Sequence, residues 1–405
     1  MRVFALALAL GLVAFPALGS GAFDTSDVSL LLPLPRANAS EGISLKISEA
    51  GRLGELFTQR NFERLPLFPR VFRDLPAVYD NTYITGVRID ACVPRVDAEA
   101  SPKSCFLSLI RLVAQPTRMS GGKRIAEDAG IHLIYALKLD EAFVASLRQL
   151  KLDAEAIGVN TTGVALGVHP VLRGDYWNDP ARMEWARKLK AFILRHAGTQ
   201  AQIAASVMVT HVGGAEVAWE WSKVPFDPKR HLILVPGDEG FEIAREASRI
   251  ATVEGAPFSQ SFIAARGKRT GVVVGKSLKA PEVARLLDDA PPSPADAKAA
   301  YEQAHFLENP KLVTIPEADC VSCHVATPYR LFAEAKWGAV ETANRFAPVK
   351  GITPSMEAPI LQSMARDLYL VLNFGYVFEK PSVSQRTVNE SVEVARFLNR
   401  FVAGR

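Results

Sequence analysis

Along residues 130–138, GIHLIYALK, apolar side chains recur at every second position, which places Ile131, Leu133, Tyr135 and Leu137 on one side. A period of two belongs to a half-buried strand, and Asp140 just beyond it is placed to open a helix through EAFVASLRQL. TYITGVRIDAC, ending at Cys92, and CFLSLIRLV, beginning at Cys105, have the β-branched and apolar make-up of strands; TGVALGVHPVL, AQIAASVMVTHV, EVAWEWSKV and HLILVP read the same way. The period changes in NDPARMEWARKLKAFILRHAG. There Trp185, Ala186, Leu189, Phe192 and Ile193 share one helical face, Asp179 is the N-cap, Pro180 lies in the first turn and Gly198 stops the run. Such a mixture predicts an α+β region, mostly antiparallel sheet with packed helices.

From residue 291 the pattern turns helical. DDAPPSPADAK is a linker rich in Pro and Ala, in which Ser293 can cap and Pro294 can open a helix reaching about Leu307. APILQSMARDLYLVL reads as a further helix, and near the end of the chain Val388, Val392, Ala395, Phe397, Leu398 and Phe401 form an apolar stripe that Asn389 or the turn before it would cap. At the other end, MRVFALALALGLVAFPALGSGAF has Arg2, an apolar run over residues 3–18, and small residues at 17–19 or 20–22 suited to a signal peptidase. The run is short for a membrane span, which takes about 20 apolar residues, and no later stretch is long enough. The expected organisation is therefore a signal peptide over 1–22, an α+β domain over 23–290 and a mainly α domain over 291–405, in an exported, periplasmic protein with no transmembrane segment in its mature chain.

Composition narrows the partners. The chain of 405 residues is 48% hydrophobic and 22% charged, with a formal net charge of +4 and no polybasic block. That is the balance of a globular protein with a normal core, and it argues against nucleic acid.

Four cysteines in an exported chain have to be accounted for, because that compartment oxidises thiols. Cys92 and Cys105 end and begin two strands separated by 12 turn-forming residues, so a hairpin would bring them together as a disulfide across the loop mouth, worth about 3 kcal/mol by loop entropy. Cys320, Cys323 and His324, in DCVSCHVATPY, stand in the order C-x-x-C-H. Zinc would need further ligands, and no second C-x-x-C or H-x-x-x-H is present. A thioredoxin-like dithiol would follow a strand, which IPEAD does not supply. Haem uses every residue of the motif: two thiols take the two vinyl groups as thioethers and the next histidine reaches the iron. One covalent haem c is the expectation, with His324 as proximal ligand.

The opposite side of the iron is less determined. Met356, in the loop KGITPSMEAPIL, is the leading distal candidate, with His305 and Met364 as alternatives and an iron without a second protein ligand as a fourth possibility. This C-terminal part resembles a monohaem cytochrome c domain. The resemblance carries Cys320, Cys323 and His324 over as attachment and axial residues and implies a distal ligand at Met356. It departs from that pattern where Asn309-Pro310 breaks the first helix well before the motif. On DVSLLLPLP, GVRIDACVP and SVSQRTVNES the whole chain also resembles a group of exported bacterial proteins that join an N-terminal domain without an assigned role to a single C-x-x-C-H domain; no activity comes with that likeness.

Other features carry less. GVVVGKS, residues 271–277, is one residue short of a phosphate-binding loop. His132, His169, His196, His211 and His231 show no paired spacing and read as polar strand, loop or helix-end residues. Two functions follow from a single haem: single-electron transfer with a redox partner in the cell envelope, or an open-site enzyme or sensor acting on peroxide or oxygen.

Overall fold

The computed structural model describes residues 22–36, 42–49, 75–94, 105–127, 129–197, 203–213, 216–224, 226–227, 231–232, 259–265, 294–313, 320–347 and 374–404. The expected signal peptide up to residue 21, residues 271–277, Met356 and Met364 lie outside these residues. In chain order the elements are α1 (Thr25–Val28), β1 (Ser29–Leu31), α2 (Leu75–Asn81), β2 (Thr82–Pro94), β3 (Cys105–Ser120), β4 (Lys123–Ala126), β5 (Gly130–Ala136), α3 (Glu141–Ala156), α4 (Pro180–Ala197), β6 (Ile203–Gly213), β7 (Glu216–Val224), β8 (Phe226–Asp227), β9 (His231–Leu232), β10 (Ser259–Ala265), α5 (Pro294–Glu308), α6 (Cys320–Trp337), β11 (Phe374–Val377), β12 (Lys380–Val383) and α7 (Gln385–Ala403).

An antiparallel sheet organises the chain, in the order β1-β2-β3-β5-β6-β7-β10 with β4 paired to β3. The period of two in β5 separates its residues as expected. Ile131, Leu133 and Tyr135 are fully buried and join Val87, Ile89, Ile110 and Leu112 of β2 and β3 in one apolar core. Two helices close that face. Asp140 caps α3 by accepting from Phe143 N–H at 2.9 Å, and Asp179 does the same for α4 through Ala181 and Arg182. From α4, Trp185, Ala186, Leu189, Phe192 and Ile193 enter the core, and the Trp185 indole donates to the Leu150 carbonyl of α3 at 2.7 Å.

Two expected strands turn out differently. Residues 162–172 form turns, with Gly163 at φ +70°, one isolated parallel bridge from Val168 to Leu31, and a 3-10 turn over Pro170–Leu172. A left-handed glycine and a proline without an N–H interrupt the ladder that an alternating pattern alone would predict. HLILVP contributes only the two-residue β9 among the described residues.

The division expected at residue 290 does not mark the edge of the core. Val392, Ala395 and Leu398 of α7 lie in the same cluster as Leu133 and Trp185, and α7 packs on α1 and β2. Asn399 grips Phe23 from both sides, its Oδ1 accepting from Phe23 N–H at 2.7 Å and its Nδ2 donating to the Phe23 carbonyl at 2.9 Å. The β11–β12 hairpin sits on the opposite face of the sheet. Phe374 packs so tightly on Gly86 of β2 that a Cβ there would lie 2.8 Å from its ring, and the fully buried Gln115 completes the seat, accepting from Tyr376 N–H (2.7 Å) and donating to its carbonyl (2.8 Å). The C-terminal segment closes the sheet rather than folding beside it.

Candidate haem site

All three motif residues fall in the first turns of α6, which begins at Cys320. At helical spacing, positions i, i+3 and i+4 share one face, so Cys320, Cys323 and His324 are presented together. Cys323 is in the thiol form, and it and His324 are half-buried. Pro328 lies inside the same helix, four residues after His324. Having no N–H, it cannot donate to the His324 carbonyl, and its ring crowds that carbonyl, so the motif turn is set off from the rest of the helix.

What fixes α6 in place is a buried polar joint. Glu308, at the end of α5, accepts from Thr327 Oγ1 at 2.6 Å and from Arg330 Nε at 2.7 Å. Thr327 Oγ1 in turn accepts from Gln385 N–H at the start of α7 (3.0 Å), and Arg386 donates to the Leu307 carbonyl (2.8 Å). Burial outweighs these donors and raises the Glu308 pKa. Helices α5, α6 and α7 are thereby locked at one point, close to the motif.

Across from the motif lies the polar face of the sheet. Register sets Arg88 of β2 opposite Arg111 of β3, Arg111 opposite Ile134, and Val113 opposite His132 of β5. Two arginines directly opposed repel each other, and carboxylates offset this. Asp90 takes Arg111 in a fork at 2.5 and 2.8 Å, while Glu390 of α7 binds Arg88 at 2.6 Å and Arg386 at 2.6 Å and lies 3.9 Å from Arg111. Burial opposes the Glu390 charge, but Arg386, Arg88 and Arg111 outweigh it and bring its pKa down to about 2. For Arg111 burial also works against the charge, and Asp90 and Glu390 hold it on. Three guanidiniums against two carboxylates leave one positive charge in excess, and Arg88 Nε is buried with no hydrogen-bond partner.

His132 completes this face. Burial first, then the charges of Arg111, His324 and Arg88, lowers its pKa to about 3 and holds the imidazole neutral. Along β5 the two sides of the strand differ. Ile131, Leu133 and Tyr135 are sealed, whereas His132 and Ile134 are half-buried. The motif helix is tied to this face through α7, whose Gln385 N–H donates to Thr327 Oγ1 of α6 and whose Glu390 binds Arg88.

The residues present fit a haem. The motif turn offers two thiols and an imidazole on one face, the sheet offers a second, neutral imidazole, and the excess guanidinium charge suits the propionates of an anionic macrocycle. Among the described residues there is no cluster of three or more His, Cys, Asp or Glu able to hold a bare metal ion.

Of the other expected site residues, His305 is fully buried on α5, in edge contact with Tyr301 (4.7 Å) and 3.8 Å from Glu308. Burial and then Arg330 and Arg345 lower its pKa to about 3. The hairpin of α5 and α6 puts it against Arg330, past His324 along the helix. Its place follows from the antiparallel pairing of the two helices, in which Tyr301 meets Glu334 and Glu308 meets Thr327. Cys92 is disulfide-bonded, and the hairpin it ends sets Pro94 opposite Cys105, whose side chain lies outside the described residues. His169 stacks on Trp185 (4.5 Å, 12°), and His196 makes edge contact with Phe143 (4.8 Å); both belong to the closed side of the sheet. No helix among the described residues is long and apolar enough to cross a membrane. No protein-family model, curated protein or solved structure matches this chain.

Proposed function

We propose that this protein is an exported c-type cytochrome that holds one covalent haem through Cys320, Cys323 and His324 and passes single electrons to a partner in the cell envelope. The observation that carries the reading is the C-x-x-C-H motif in the first turns of α6, a helix tied through Gln385 and Glu390 of α7 to the Arg88–Arg111 face of the sheet. Bound there, the haem would supply a one-electron iron couple. Cys320 and Cys323 would anchor its rim, His324 would take one axial position, and the Arg88–Arg111 cluster would receive the propionates. The bridge of Cys92 would be to Cys105, stapling the hairpin whose strands carry that cluster. An apolar sheet core on the far side keeps the frame rigid, which lowers the reorganisation that electron transfer requires.

The test is export of the full chain in a host with cytochrome c maturation, followed by haem staining on a denaturing gel and a pyridine haemochrome assay. Stoichiometric covalent haem, lost in a Cys320→Ala/Cys323→Ala double variant, is the expected result. Exported protein with a Cys320–Cys323 disulfide and no haem would sink the reading and favour a dithiol. One observation favours a second use of the same haem. Arg111 beside the neutral His132 pairs a charged donor with a base, the arrangement an open iron needs to activate peroxide. A high-spin ferric spectrum in the wild type, with peroxide turnover that His132→Ala abolishes, would establish it.

A further inference from the structure

We propose that His132 of β5 is the second axial ligand of the haem, so that the iron is held between the first turn of α6 and the middle of the sheet. This rests on the haem reading above, and it replaces the distal ligand that the sequence suggests at Met356.

Three observations support it. His132 lies on the face of the sheet that carries Arg88, Arg111 and Ile134, and α7 links that face to the motif helix, its Glu390 binding Arg88 and its Gln385 N–H donating to Thr327, three residues after His324. Its ring makes no hydrogen bond among the described residues, whereas a histidine in a core is ordinarily tied to a partner. It is also half-buried, so it keeps accessible surface rather than being sealed among packed side chains. His169 and His305 are sealed, the first accepting from Val171 N–H and stacking on Trp185, the second wedged against Tyr301 and Glu308; His305 Nε2 also lacks a hydrogen-bond partner, so it is the accessible surface of His132 that separates it from them.

The strand that carries His132 adds rigidity. A ligand on a strand bonded on both sides, to β3 and β6, cannot swing away as one on a loop can. The iron would stay six-coordinate in both redox states, which is what a carrier requires and an oxygen-activating site avoids.

The experiment uses the full chain matured with haem, and the covalent attachment assay comes first, because its failure removes the haem reading and this inference together. With haem attached, the wild-type protein is expected to give a low-spin ferric spectrum without a methionine-to-iron charge-transfer band. His132→Ala should lose the low-spin signature and become high-spin, and added imidazole should restore it. His132→Met keeps a ligand at the position, and is expected to gain the methionine-to-iron band and a higher reduction potential. Low-spin spectra unchanged by His132→Ala, or a methionine band in the wild type that Met356→Ala removes, would overturn the assignment and leave covalent haem standing. Should neither His132 variant fold, the wild-type near-infrared and electron paramagnetic resonance spectra decide alone: a bis-histidine signature supports the proposal, and a histidine–methionine or high-spin one defeats it.

Discussion

The two faces of the central sheet are built by the same strands and differ in almost every other respect. On one, Ile89, Ile110, Leu112, Leu133 and Tyr135 are sealed beneath α3 and α4. On the other, Arg88, Asp90, Arg111 and His132 meet Glu390 and the motif helix, and several of these side chains keep part of their surface. A sealed apolar face stabilises through area removed from water and tolerates no ligand. A face of paired charges gains little net stability, since desolvation takes back most of the Coulombic attraction. What it does provide is a fixed, electrostatically positive surface. The molecule thus separates holding itself together from holding something else.

The strongest way to break that contrast is to remove Glu390. Glu390→Ala leaves Arg88 and Arg386 buried without their carboxylate, and a loss of about 3–5 kcal/mol is expected in urea unfolding. In haem-loaded protein the reduction potential should move as well, because the cluster beside the iron gains a positive charge. Leu133→Ala, on the sealed face of the neighbouring strand, should cost about 2–5 kcal/mol through the cavity it leaves and should leave the haem spectrum unchanged. If Leu133→Ala shifts the spectrum as far as Glu390→Ala does, the two faces are not separate in function.

Only one of these faces was legible in the sequence. The period of two in GIHLIYALK identifies Ile131, Leu133 and Tyr135 as core, and the caps at Asp140 and Asp179 fix the helices that cover them, because these signals are local. Residues on the alternate positions are assigned to water by default. A local pattern says nothing more of Arg88, Asp90, Arg111 and His132, since their partners come from other strands and from α7, far along the chain. One clue was available: Ile134 shares the side of His132, and an isoleucine in a strand centre argues against a wet face. The motif itself was readable because C-x-x-C-H is contiguous. The linker before residue 294 was readable too, but the return of α7 to the core depends on tertiary contacts such as Asn399 with Phe23, which no local pattern reveals.

Acid probes both faces at once, because His132 on the polar face and His305 on α5 take up a proton on unfolding in the same range as His169. His169, on the sealed side, has its pKa lowered to about 3 by burial and then by Arg173 and Lys151. The unfolded chain binds that proton near pH 6.5 while the folded one does not, so its stabilising contribution is complete above about 6.5 and declines as pH falls towards 3. Glu390 acts lower, losing its contribution between its usual carboxylate range and about 2. Stability followed by urea midpoint should therefore begin to fall below about pH 6.5, with a steeper fall below about 4.5. His169→Asn should make the upper part shallower and spare the lower. An upper limb untouched by that substitution would mean that His169 is protonated in the folded protein.

The smallest effect probes the helix that belongs to both faces. Ser384 caps α7, its buried Oγ accepting from Thr387 N–H at 3.2 Å. Removing the cap with Ser384→Ala should cost about 1 kcal/mol. Where that cost is felt matters more than its size. The first turns of α7 carry Arg386 and Glu390 to the polar cluster, and Gln385 N–H ties them to Thr327 on the motif helix, whereas Val392, Ala395 and Leu398 further along enter the sealed core. Fraying at the cap should therefore raise amide hydrogen exchange in residues 385–390 and at the start of α6, and leave residues 392–398 protected. Faster exchange along the whole of α7 would instead show that the sealed core holds the polar face in place through this one helix, and that the two faces fail together.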